Sequence, residues 1–102
     1  MRKMLHTVNK SPFEHSALDS CLRYARQGSS VLLIEDGVYA AARDTAVARK
    51  MQEALKRVQV YALKPDVEAR GMQNRVMDGV RLVDYAGFVD LVVEHNAVQS
   101  WL

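Results

Sequence analysis

The residues that could do chemistry in this chain are few: one cysteine, three histidines and one adjacent carboxylate pair behind an aliphatic run. Cys21 lies in "LDSCLRYA", residues 18–25. As a thiolate it could attack a disulfide or persulfide; as a thiol it is a small apolar side chain for packing. Both readings stand on residue type alone. His6, His15 and His95 are far apart, and none has metal-ligand spacing with another histidine or with Cys21. His6 falls in a β-rich run and reads as a hydrogen-bonded structural histidine. Glu35 and Asp36 could share acid–base work, but Asp36-Gly37 is also a turn signal, and we read it as the turn leaving "VLLI". No G-x-S-x-G elbow, P-loop or dinucleotide fingerprint is present, so no cofactor and no metal are expected.

Two start signals compete for the helix that carries Cys21. Ser11-Pro12-Phe13-Glu14 has the form of a capping box with proline at the first helical position, and Ser16-Ala17-Leu18-Asp19 is a second candidate. A start at Ser11 leaves Cys21 far from the terminal dipole. A start at Ser16, which we favour, puts it in the second turn, where a modest bias to thiolate is possible. "SPFEH" is then a loop over the end of the first strand.

The elements that must position these residues alternate. Residues 4–8, 30–34, 58–63 and 80–84 read as strands, the second buried on both faces because its aliphatic run does not alternate. "AVQSWL", residues 97–102, is either a short edge strand or a packed tail, with Trp101 as a tail anchor or an interface residue. Leu18, Cys21, Leu22 and Ala25 follow helical spacing up to Gly28. Val47, Met51, Ala54 and Leu55 form a second helical face, begun at Asp44 or Thr45. "PDVEARG" is a short helix between Pro65 and Gly71, and Phe88, Leu91, Val92 and His95 line a last helix. This alternation predicts one α/β domain over residues 1–102. It should be a small three-layer α/β/α sandwich on a mainly parallel sheet of four to five strands, with the first strand internal. Ligand sites in such sheets lie beyond the carboxyl ends of the strands, here "NKSPF", "EDGVY", "KPDVE" and "DYAGF".

Composition narrows the function classes. Apolar residues make up 49% and charged residues 25% of 102 residues, ordinary globular values. The net charge is +2 and the cations are scattered. Arg49, Lys50, Lys56 and Arg57 read as a solvated helix face, with no interleaved aromatics for single-stranded nucleic acid. No direct nucleic-acid partner is expected. No run is long enough to cross a bilayer and the N-terminus has no secretory pattern, so the expectation is a soluble, cytoplasmic protein with a free thiol.

"MLHTVNKSPFE", "LLIEDGVYAA", "VYALKPDVEARG", "VDYAGFVDL" and "VQSWL", taken in order over residues 4–102, resemble the DsrH/TusB family. The resemblance implies a DsrE-like fold. It also implies a heterohexamer with DsrE-like and DsrF-like subunits, two copies of each chain, serving a DsrC/TusE-type carrier of persulfide sulfur. The principal active cysteine of such complexes is thought to sit on the DsrE/TusD-like partner, which leaves Cys21 as a candidate persulfide-carrying or auxiliary cysteine. In that role its thiolate would attack a carrier persulfide and take the sulfane sulfur. DsrH-like chains of sulfur oxidisers carry a cysteine on the first helix and TusB-like chains generally lack one. Cys21 therefore points to a DsrEFH-type subunit of oxidative sulfur metabolism. The alternative is a structural TusB-type subunit of the relay for 2-thiouridine in tRNA.

Three functions compete: a sulfur-transfer subunit with a working cysteine, a structural subunit of the hexamer, and a small-anion module using helix N-termini. The first requires the Cys21 sulfur to be within reach of solvent or of a partner thiol. The assembly expected of the second would use the outer side of the last helix and the tail, with Val89, Val93 and Trp101.

Overall fold

The structure is a computed structural model that describes residues 3–102. Five strands, β1 (Met4–Val8), β2 (Ser30–Leu33), β3 (Gln59–Leu63), β4 (Arg81–Val83) and β5 (Ala97–Trp101), form one sheet in the order β4-β3-β2-β1-β5. Every pairing is parallel. The mainly parallel α/β sandwich expected from the alternation is therefore found, with β1 internal and the tail forming a complete edge strand.

Four α-helices flank the sheet: α1 (Ala17–Tyr24), α2 (Ala48–Ala54), α3 (Lys64–Ala69) and α4 (Tyr85–Glu94). A 3-10 segment, Glu35–Ala41, follows β2. The layers are unequal. α1, α2, α3 and the 3-10 segment all bury residues in one large cluster on one face, around Val8, Val31, Leu33, Val60 and Ala62. On the other face Leu91 of α4 closes a small cluster over Leu5 and Leu32, edged by Phe88 and Tyr61. The continuous run of β2 has this cause: Val31 and Leu33 face one cluster and Leu32 the other.

Local signals explain most boundaries. α1 begins where Ser16 predicts, and "SPFEH" is a turn in which the Ser11 carbonyl accepts from the Glu14 and His15 amides. α2 begins at Ala48, later than Asp44 or Thr45: Asp44 is left-handed at φ 62°, and the Thr45 carbonyl accepts from the Ala48 amide at 3.1 Å in a tight turn that precedes the helix. Asp84 caps α4, its carboxylate accepting from the Gly87 amide at 2.8 Å. Gly37 is demanded by space: a Cβ there would lie 2.1 Å from the Val8 carbonyl oxygen. That closeness lets the 3-10 segment lie directly on the end of β1.

Candidate functional site

Cys21 occupies the middle of the buried stripe of α1, between Leu18 and Leu22, and is fully buried. Burial pushes its thiol up to about 12, and the positive charge of Arg57 pulls back only part of that rise. The expectation of a sulfur reachable from solvent or a partner is thus corrected for this chain. The apolar positions Leu18, Cys21, Leu22 and Ala25 follow i, i+3, i+4, i+7 spacing, which centres Cys21 on the core-facing line instead of its margin. The helix start gives no compensation. Ser16 makes no side-chain cap bond, and Cys21 lies beyond the first turn, where the dipole fades.

Arg57, read from sequence as part of a solvated face, has a different task. It stands beyond the end of α2, and its guanidinium donates to the Ala25 carbonyl at 2.6 Å and to the Leu22 carbonyl. The exposed carbonyl end of α1 is thereby closed by a cation, as the helix dipole favours. Its neighbours are also paired: Lys50 with Asp19, and Lys56 with Glu53 at 3.2 Å.

At the carboxyl ends of the strands the carboxylates are structural. Glu35 sits at φ 50° and its amide donates to the Asp66 carboxylate at 2.6 Å. Asp36 accepts from Arg70 at 2.9 and 3.1 Å, while Arg70 also donates to the Asp66 carbonyl and lies 5.9 Å from the Tyr39 ring centre. Glu35 through its backbone amide and Asp36 through its carboxylate are thus held to α3 and to Arg70 at its end. The sequence reading as a turn is met by the start of the 3-10 segment. Ser11 is buried and accepts from the Phe13 amide at 3.2 Å. The Asn9 side-chain oxygen is buried without a partner.

His6 and His95 are also structural. His6 Nδ1 accepts from the Trp101 indole N–H at 3.0 Å, and burial pushes the imidazole below its usual range. His95 ends α4: Nδ1 donates to the Leu91 carbonyl at 2.6 Å, leaving Nε2 to accept from the Ser30 hydroxyl at 2.9 Å. His15 is exposed on the turn before α1. Among the described residues no group of three His, Cys, Asp or Glu side chains could hold a metal, and no helix is long and apolar enough to cross a membrane.

Trp101 belongs to the core side of the tail. It packs on the large cluster and lies 5.8 Å from the Tyr24 ring. Of the interface trio expected from sequence, Val89 and Val93 are exposed on α4, whereas Trp101 is on the opposite face of the sheet and anchors β5. Sequence reasoning missed Arg57 and the Trp101–His6 bond because both join residues distant in the chain. A lone arginine after an apolar period carries no mark of the carbonyls it will reach.

A family model described as "DsrH like protein" matches residues 10–98. Relatives named Protein TusB are 41% identical in Pectobacterium atrosepticum, 40% in Pectobacterium parmentieri and 36% in Escherichia coli O81; each alignment covers 96% of this chain and all of the relative. In fold, the chain is similar to the ychN protein from E. coli, with TM-score 0.83 and 21% identity over 98% of this chain and 99% of that one. It is also similar to a protein of unknown function from Methanobacterium thermoautotrophicum, with TM-score 0.75 and 20% identity over 97% of each chain. The match of the "DsrH like protein" model over residues 10–98 and the full-length likeness to relatives named Protein TusB lead to one conclusion: this chain belongs to the DsrH/TusB family.

Proposed function

We propose that this chain is a TusB-type subunit of a sulfur-relay complex, assembling with DsrE-like and DsrF-like chains and serving the thiolation of the wobble uridine of tRNA. The observation that carries the reading is the full-length likeness, at 36–41% identity, to relatives named Protein TusB. It favours the tRNA branch over the oxidative DsrEFH branch that the position of Cys21 suggests. In this reading Cys21 is a packing residue in the free chain. A thiol held near 12 is almost wholly protonated at neutral pH, and a sulfur with no solvent contact cannot meet a carrier persulfide without local opening. The active cysteine then belongs to a partner, and this subunit contributes surface. A heterohexamer with two copies of each chain, and exchange with a TusE-type carrier, complete the proposal.

The test is complementation. In a bacterium deleted for its TusB gene, the chain should restore 2-thiouridine in tRNA, measured by nucleoside mass spectrometry, and Cys21→Ala should restore it equally. Failure of the wild-type chain together with its own DsrE-like and DsrF-like partners sinks the tRNA reading. Restoration by wild type but not by Cys21→Ala, with both chains equally folded, returns Cys21 to the role of sulfur carrier.

A further inference from the structure

α4 is apolar on both sides. Its inner side places Leu91 and Phe88 against the sheet. Its outer side carries Tyr85, Val89 and Val93, 61%, 61% and 77% exposed, with Val92 beside them at 39%. These recur at helical spacing, i, i+4, i+7 and i+8, so they form one stripe along the helix. A surface helix needs one apolar side to face its core, and α4 carries a second apolar stripe that the sheet does not cover. Exposed Val98 extends the apolar surface: it pairs in register with Leu5, which places it on the same face of the sheet as α4.

The stripe has an acidic border. Asp90 and Glu94 follow Val89 and Val93 by one position each and so flank the stripe on one side. α4 contains no Lys or Arg, and among the described residues neither carboxylate has an ion-pair partner. A copy of α4 laid on this helix would offer no cation to Asp90 or Glu94 in either orientation. In an antiparallel pairing the acidic borders of the two copies would face each other.

We infer that the outer side of α4 docks a different chain, one that presents an aliphatic or aromatic surface bordered on one side by arginine or lysine. The inference rests on the relay-subunit reading and names the contact through which that subunit joins its DsrE-like or DsrF-like partner. The apolar stripe supplies the centre of the interface and the charge border sets partner and orientation. Trp101 takes no part.

The experiment is co-purification of this chain with the DsrE-like and DsrF-like chains of the same genome, followed by affinity measurement on four forms: wild type, Val89→Asp, Val93→Asp and the double reversal Asp90→Lys with Glu94→Lys. Circular dichroism of each form alone controls for folding, which these exposed positions should leave intact. Val93→Asp should weaken association roughly tenfold or more, since it buries an unpaired charge. The double reversal should weaken it several-fold at low salt, with the difference shrinking as salt rises. A wild-type complex unaffected by either aspartate overturns the α4 inference and leaves the relay-subunit reading standing. Absence of any wild-type complex removes both. A wild-type homodimer broken by Val93→Asp overturns the assignment to a different chain. An unchanged affinity in the double reversal overturns the basic border of the partner.

Discussion

α1 and α4 present opposite outer faces, although both bury one side on the sheet. α1 turns Leu18, Cys21 and Leu22 inward and shows solvent the charged Asp19 and Arg23, together with Tyr24 beside the Trp101 ring. α4 turns Leu91 inward and shows solvent Tyr85, Val89 and Val93. The helix with the cysteine thus shows solvent one large aromatic side chain among charges, and the helix without a cysteine shows a continuous apolar stripe. The comparison separates thiol from apolar surface: Cys21 is buried in the large cluster, and the exposed stripe lies across the sheet on the other face.

The largest effect that can break this comparison lies within α4 itself. Leu91→Ala should destabilise the free chain by about 2–5 kcal/mol, whereas Val93→Ala should change it by less than about 0.5 kcal/mol. Urea titration of both variants measures the contrast. Equal costs would mean that the outer stripe is already buried in the free chain.

Next comes Cys21. Cys21→Ser places a hydroxyl where the sulfur has no solvent contact, and should cost about 1–3 kcal/mol. A companion measurement is thiol labelling at pH 8. With the thiol near 12 against an ordinary 9.0, the native thiolate fraction falls roughly a thousandfold, and burial slows the reagent further. Labelling should be slow in buffer and prompt in denaturing urea. Prompt labelling in buffer would place the sulfur at the surface and erase the contrast with α4.

The helix starts differ on a smaller scale. Asp84→Ala removes the carboxylate that holds the Gly87 amide and should cost about 1 kcal/mol. Ser16→Ala, at a helix start with no side-chain cap bond, should cost no more than a few tenths. Reversed costs in urea titration would show that α1, and not α4, depends on its cap.

The smallest effect is on pH. Burial holds His6 below its ordinary 6.5, so the folded chain binds the proton less readily than the unfolded chain. Stability from this group is complete above pH 6.5 and is lost as pH falls through the lowered folded value. Protonation also removes the Nδ1 lone pair that receives the Trp101 N–H. His6→Gln should flatten the loss of stability between neutral and mildly acid pH. An unchanged slope would assign that loss to other groups.

The first four strands, the parallel character of the sheet with β1 inside it and the start of α1 were legible in the sequence, because aliphatic runs, turn residues and Ser16 are local signals; the full strand order and the tail as a fifth strand were not. The fate of Cys21 was not. "LDSC" carries the same letters whether its fourth residue lies on the centre or the margin of the core line, and only the docked angle of α1 decides. The exposure of Val89 and Val93 was legible, since they continue the apolar pattern of α4 beyond what one buried side needs. Trp101 was legible as a tail anchor or an interface residue but not as one of the two, because nothing in "QSWL" shows that the indole will turn to His6, 95 residues earlier.

The pairing of β5 with β1 has a consequence for the order in which the protein is made. β1 precedes β5 by about ninety residues, yet one of its two edges is filled by that later strand, with the Thr7–Ser100 and His6–Trp101 contacts closing the seam. At ~5–20 residues per second, that edge stays open for on the order of 5 to 20 seconds of translation. During that interval α1, β2 and β3 can already collect on the other edge, so the nascent domain waits with an unpaired row of amides and carbonyls around Leu5 and Thr7. A chain cut short before Ala97 would lack the strand that covers this row, and its β1 would present an adhesive edge.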